Sequence, residues 1–216
     1  AVQGLLFQDG GLLVMGANIF NMGILTAVIG FGLYRMVGGA KKGLRLTIAG
    51  AAAWLATMAA ALLTALQLWL SGTSRLEIVL PAMLGVHILI GVGEALITVA
   101  ALAFIERTRP DLLNAEKTAA SGGRGWIMAG ILVTFLAVMI SPLASGSPDG
   151  LERVAENLGF LADGKAASYQ ILPDYTIPFL GETALSTIFA GVIGALILMG
   201  LLVLLGRSLR RAGSRE

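Results

Sequence analysis

The chain has 216 residues, 56% of them hydrophobic and 13% charged, with a net charge of +2 and a mean hydropathy of +0.86. Water-soluble domains carry about a quarter charged residues, so this chain lacks the polar surface that a water-facing globule needs. It has no cysteine, which excludes thiolate metal sites, iron–sulfur ligation and a disulfide framework. No basic run interleaved with aromatics points to nucleic acid.

Taken in order, Ala1–Phe7 reads as the last turns of an apolar helix. It has no basic n-region and no small-residue cleavage site, so it is not a signal peptide; a chain that opens this way is expected to continue upstream. Apolar blocks of about twenty residues, the length that crosses a hydrocarbon core of about 30 Å, follow at Gly11–Met36, Leu46–Leu70, Ile78–Ile105, Gly125–Ile140 and Thr183–Leu205, the fourth being the shortest. The fold class is therefore all-α: a polytopic transmembrane helix bundle with five full spans plus a partial N-terminal span. Asp9 is placed to cap the first span. The long stretch from Ser141 to Glu182 is expected to hold a short helix, with Leu151, Val154 and Leu158 on one face behind Pro148-Asp149-Gly150.

Lys and Arg favour the cytoplasmic side of short loops. Arg35, Lys41, Lys42 and Arg45 follow the first span, Arg107, Arg109, Lys117 and Arg124 follow the third, and Arg207, Arg210, Arg211 and Arg215 follow the last. The alternate loops are poor in base. One alternation satisfies every loop and puts the C-terminus in the cytoplasm. Arg109-Pro110-Asp111 ends a helix, because proline cannot continue one, and Ala119-Ala120-Ser121-Gly122-Gly123 has linker composition. A transmembrane core over residues 1–113, a cytoplasmic linker over 114–124 and a span–loop–span unit over 125–216 are expected.

Polar groups inside a span are costly, so each is a functional candidate. His87, Gly91, Glu94 and Thr98 fall along one side of the third span. They read either as a polar stripe on a permeation path or as hydrogen-bonding groups that lock the bundle. His87 is the only histidine, and one imidazole does not make a metal site. Asn18 and Asn21 share a face of the first span, and Asn18 comes to a depth similar to that of His87, where an amide can orient an imidazole. Interhelical bonding is the competing reading of both asparagines. Ala49, Ala53, Ala56, Ala60 and Thr64 form a small-residue ridge on the second span, and Ala190 with Gly194 makes a similar pair on the last; such ridges let backbones approach. No Gly-x-Ser-x-Gly, His-Glu-x-x-His or phosphate-binding loop is present, so an enzyme is not expected and any ATPase is a separate subunit.

Several of these motifs coincide with a known pattern. Leu5-Leu6-Phe7-Gln8-Asp9-Gly10-Gly11, Gly16-Ala17-Asn18-Ile19-Phe20-Asn21-Met22-Gly23, Leu80-Pro81-Ala82-Met83-Leu84-Gly85-Val86-His87 and Ile90-Gly91-Val92-Gly93-Glu94 resemble the CbiM/NikM family. These are the substrate-capture components of energy-coupling-factor transporters for cobalt and nickel. Ser147-Pro148-Asp149-Gly150-Leu151-Glu152, in a loop between two spans, resembles the PDGLE-type CbiN/NikN small subunit. The resemblance implies a fused protein in a prokaryotic inner membrane. It would take Co²⁺ or Ni²⁺ as substrate, with no permanently bound cofactor, beside a CbiQ/NikQ-like coupling subunit and CbiO/NikO-like ATPases. It also implies nitrogen ligands from the N-terminal amino group and from early histidines, whose place lies upstream of Ala1. No residue here is carried over as a primary ligand; Asn18, Asn21, His87 and Glu94 are carried over as supporting polar residues. Two rival readings predict different behaviour. A membrane scaffold or assembly subunit would show no metal dependence, and a gradient-driven secondary transporter with Glu94 as its proton site would need no ATPase.

Overall fold

The computed structural model describes residues 2–8, 10–37, 39–110, 125–143, 148–164, 169 and 171–213. The Asp9 cap, the linker over 114–124, and Lys117, Arg124, Ser147 and Arg215 lie outside the described residues. Among those described, every regular element is helical, apart from one isolated antiparallel bridge between Ile177 and Gly181.

Among the described residues, four helices are long and apolar enough to cross a membrane. We label them α1 (Met15–Met36), α2 (Lys42–Leu70), α3 (Leu76–Thr108) and, last in the chain, α6 (Ala184–Gly213, apolar through Leu209). Between α3 and α6 come α4 (Gly125–Ile140) and the short α5 (Gly150–Leu158). The 16 residues of α4 rise about 24 Å, and the tight turn Ser141–Leu143 extends the same apolar stretch. The chain is thus an all-α, multi-pass membrane protein. On α3, Leu89, Leu96 and Ile97 are 76%, 67% and 67% exposed, the side that lipid covers.

The first span begins at Met15, four residues later than its apolar run suggests. Gly10 and Gly11 both take positive φ (75° and 59°), and the chain turns through Gly11–Val14 before it can wind. Within α1, Ile19–Leu25 widens into a π-helical stretch between two α-helical pieces. Such wide turns are rare and cluster at functional positions.

Contacts divide the chain into two compact units. One comprises Gly16–Gly123 and Ser147–Lys165. In it α2 packs on both α1 and α3, and α5 rests on α3. Ala49, Ala52, Ala56, Ala61 and Ala65 of α2 are buried. Small side chains bring backbones close where lipid supplies no hydrophobic drive. Of the predicted ridge, Ala49 and Ala56 are fully buried, while Ala53, Ala60 and Thr64 are half-buried. A helix gripped on two sides needs small residues around more of its circumference than one ridge provides. At the Thr108 end of α3, Glu106 accepts a 2.8 Å ion pair from Arg45 and a 3.3 Å pair from Lys42, tying it to α2.

The other unit comprises Ala1–Met15, Arg124–Gly146 and Ala166–Glu216. The N-terminal segment Gln3–Phe7 is held there by the far end of the sequence. Phe7 stacks on Tyr175 at 4.4 Å, and its ring fills the hollow at Gly194, where a Cβ would lie 2.7 Å from Cζ. The Leu172 amide donates to Leu6 O at 3.0 Å. Ala190 is fully buried, and Gly191 receives Val138 of α4. The small residues of α6 therefore serve packing inside this unit. Thr183 caps α6 by accepting from the Ser186 amide, and the buried Ser186 hydroxyl accepts from the Ile177 amide at 2.6 Å.

Candidate functional site

Two hydrogen-bonded groups of the first unit lie in the half of its bundle nearest the Ser71–Arg75 turn. The first group centres on Asn21, in the π-helical stretch of α1. The residue is 3% exposed. Asn21 Nδ2 donates to Gln67 Oε1 at 2.8 Å and to Thr64 Oγ1 at 3.1 Å, and Gln67 Nε2 donates back to Asn21 Oδ1 at 3.1 Å. Two amides facing each other satisfy both carbonyls and a proton on each nitrogen. An unpaired amide in lipid costs several kcal/mol by transfer scales, so this arrangement strongly fixes which faces of α1 and α2 meet. Thr64 in turn donates to Ala60 O at 3.0 Å.

The second group centres on His87. Its Nδ1 lies 2.7 Å from Met83 O. A carbonyl only accepts, so Nδ1 carries the proton, and in the uncharged ring Nε2 keeps a lone pair. The Nε2 side faces α5. A Cβ built at Gly150 would lie 2.8 Å from His87 Cε1, 3.0 Å from Nε2 and 2.9 Å from Ile90 Cδ1. Only glycine lets the start of α5 come this close. The helix is fixed at that end by a reciprocal cap: the Glu152 amide donates to Asp149 Oδ1 at 2.8 Å and the Asp149 amide to Glu152 Oε2 at 3.2 Å. Gly159, at φ 79°, ends it. Val154 is 2% exposed and packs with Ala61, Ala65, Val79 and Met83.

α5 forms where the hydrophobic spacing puts it, but it is rotated. The buried face is Gly150, Val154 and Ala155, with Leu158 at its edge, while Leu151 is 39% exposed. The close seat of Gly150 on His87 sets the rotation, and Leu151 is turned away from it.

The four residues of the α3 stripe do not share one surroundings. Gly91 is buried under Trp54, whose Cδ1 would meet a Cβ at 2.9 Å and whose Nε1 donates to Ile88 O at 3.2 Å. Glu94 is exposed and Thr98 half-buried. The line of four therefore passes from the seat of α5, beneath Trp54, onto open surface. Asn18 is half-buried, and among the described residues no hydrogen bond joins it to His87; the Met83 carbonyl orients the ring instead. No group of three or more His, Cys, Asp or Glu side chains gathers as a metal site among the described residues. Gln67 and Trp54 are the polar partners that spacing does not single out. The signal for Gln67 was its type alone, an amide in an apolar span.

Comparison with known proteins bears on this arrangement. Residues 1–112 match the cobalt uptake substrate-specific transmembrane region, and residues 124–211 match the PDGLE domain. The chain belongs to the CbiM family, fused to a CbiN-like PDGLE domain. A protein of Archaeoglobus fulgidus that bears the name "Putative fused nickel transport protein NikMN" is 31% identical over 98% of this chain and 70% of its own length. The fused nickel transport protein NikMN of Rhodobacter capsulatus is 29% identical over 98% of this chain and 74% of its own length. The cobalt transport protein CbiM of Sorangium cellulosum is 35% identical over 52% of this chain and 52% of its own length. No solved structure matches. In this CbiM-family chain α5 comes from the PDGLE region, yet it packs on α2 and α3 of the CbiM region.

Proposed function

We propose that the chain is a membrane subunit of an energy-coupling-factor importer, capturing Co²⁺ or Ni²⁺ for ATP-driven uptake. The observation that carries this reading is similarity to fused nickel transport proteins along 98% of the chain. The subunit is not itself an enzyme. A CbiQ/NikQ-like membrane subunit couples it to CbiO/NikO-like ATPases, and the metal ion is cargo. The core spans residues 1–113 and the PDGLE-type unit 125–216, joined by 114–124. The protein lies in the inner membrane of a prokaryote, with the basic loops after α1, α3 and α6 in the cytoplasm.

Asn18, Asn21, His87 and Glu94 are supporting residues of the substrate region. Asn21 fixes how α1 meets α2, and the primary ligands come from outside the described residues. Imidazole and amine nitrogens suit Ni²⁺ and Co²⁺, which fits a cargo held by nitrogen donors.

The test is uptake of radiolabelled Ni²⁺ and Co²⁺ by cells making the gene product that contains this chain, with coupling and ATPase subunits. Uptake that disappears when the ATPase nucleotide site is inactivated is the expected result, and the faster ion names the cargo. Uptake indifferent to the ATPase would replace the proposal by secondary transport, with Glu94→Gln then expected to abolish it. No metal dependence at all would leave a scaffold.

A further inference from the structure

Resting on the metal reading above, we propose that Nε2 of His87 is a donor for a divalent transition-metal ion in transit, and that α5 is the cover that must lift to admit it. The ring is set up as metal-binding histidines are. One nitrogen gives its proton to a backbone carbonyl, here Nδ1–H to Met83 O at 2.7 Å, which fixes the tautomer and orientation and leaves the other lone pair to a metal. That second nitrogen meets no hydrogen-bond donor among the described residues; it faces Gly150.

The cover is built to stay whole when it moves. Its reciprocal Asp149–Glu152 cap and its glycine stop at Gly159 are internal to α5, so the helix keeps its own ends satisfied whether seated or lifted. Its attachment is apolar and narrow: Gly150 on the ring, Val154 and Ala155 buried, Leu158 and Phe160 alongside. Glu152, Arg153, Glu156 and Asn157 are exposed, so lifting takes no charge out of a partner. One protein nitrogen completed by water does not hold an ion as a metal site does, so His87 serves an ion only in passing. His87 lies about 17 Å along α3 from Leu76, within the span.

The chain has one histidine and no cysteine, so carbethoxylation by diethyl pyrocarbonate, which attacks an imidazole lone pair, reports on Nε2 alone among histidines. The protein is used as the whole 216-residue chain in detergent, with modification at His87 followed by peptide mass. The wild type should react slowly. Gly150→Ala, whose methyl meets the ring, and Val154→Asp, which puts a charge into the apolar seat without touching the ring, should each speed the reaction at least about fivefold. Helix content should stay unchanged by circular dichroism. In both variants Ni²⁺ should slow it again by occupying Nε2, and Mg²⁺, which favours oxygen ligands, should not. Equal rates in wild type and both variants would overturn the cover. Fast modification that Ni²⁺ leaves untouched would overturn the donor. Neither result depends on uptake, so failure of the importer reading in cells is a separate outcome.

Discussion

At the scale of single residues, Asn21 shows how one amide can decide a helix contact. Side-chain bonds between membrane helices average about 0.6 kcal/mol and reach about 1.7. The Asn21–Gln67 pair belongs near the upper end, because both carbonyls and one proton of each amide find partners at once. Asn21→Leu is therefore expected to cost about 1–2 kcal/mol, chiefly by stranding the Gln67 amide. Adding Gln67→Leu should recover part of the loss. The measurement is unfolding in mixed micelles, run as a double-mutant cycle; a coupling energy near zero would reduce the pair to a coincidence of packing. Asn18, one turn away and on the same face by spacing, has no such partner among the described residues. Spacing told which asparagines share a face. It did not tell which of them finds an amide opposite, because that depends on how α2 crosses α1.

At the scale of elements, the helices were legible and their mutual rotations were not. Hydropathy located α1, α2, α3, α4 and α6, because twenty apolar residues in a row have few other uses. Leu151, Val154 and Leu158 behind Pro148-Asp149-Gly150 located α5, and the structure adds the reciprocal Asp149–Glu152 cap that fixes its start. The buried side of α5 was missed by one position. Hydrophobic spacing favoured Leu151, whereas the contact was decided by a residue with no side chain, Gly150, and a pattern of apolar residues cannot register a missing side chain. The late start of α1 has a similar cause in two glycines at positive φ.

The pairing of α2 with α3 through Glu106 gives a prediction at this scale. Arg45 is 16% exposed at its side chain and Lys42 55%, so the Arg45 contact is the stronger of the two. Glu106→Gln should destabilise the α2–α3 pair by about 1–3 kcal/mol, while Lys42→Ala should change it by under about 0.5 kcal/mol. Thermal unfolding in detergent compares them, and equal effects would show that the two cations share the carboxylate evenly.

At the scale of the whole molecule, the absence of cysteine makes topology directly measurable. A single cysteine at Thr73, between α2 and α3, should react with an impermeant maleimide from outside intact cells. One at Ala40, between α1 and α2, should react only after lysis. The reverse pattern would invert the orientation argued from the basic loops. The family, the fold class and the fusion were all readable in the sequence, because each rests on long motifs or on bulk composition. The site was readable only as a set of residue types. His87 was visible as the lone histidine, but its tautomer, and the glycine that closes over it, exist only once α5 is folded against α3.

The tie of Leu6 and Phe7 to residues 172–194 has a consequence for the order in which the protein assembles. Phe7 finishes its packing only against Tyr175 and Gly194, and Leu6 O only with the Leu172 amide. A ribosome delivers those partners only after α3 and α4. The α2–α3 hairpin can pair as soon as Thr108 has emerged, so Leu6 and Phe7, made before the hairpin, are fixed in place after it. Synthesis stalled after α3 would leave the hairpin paired and Phe7 without its partners, open to capture by whatever apolar groove the membrane offers.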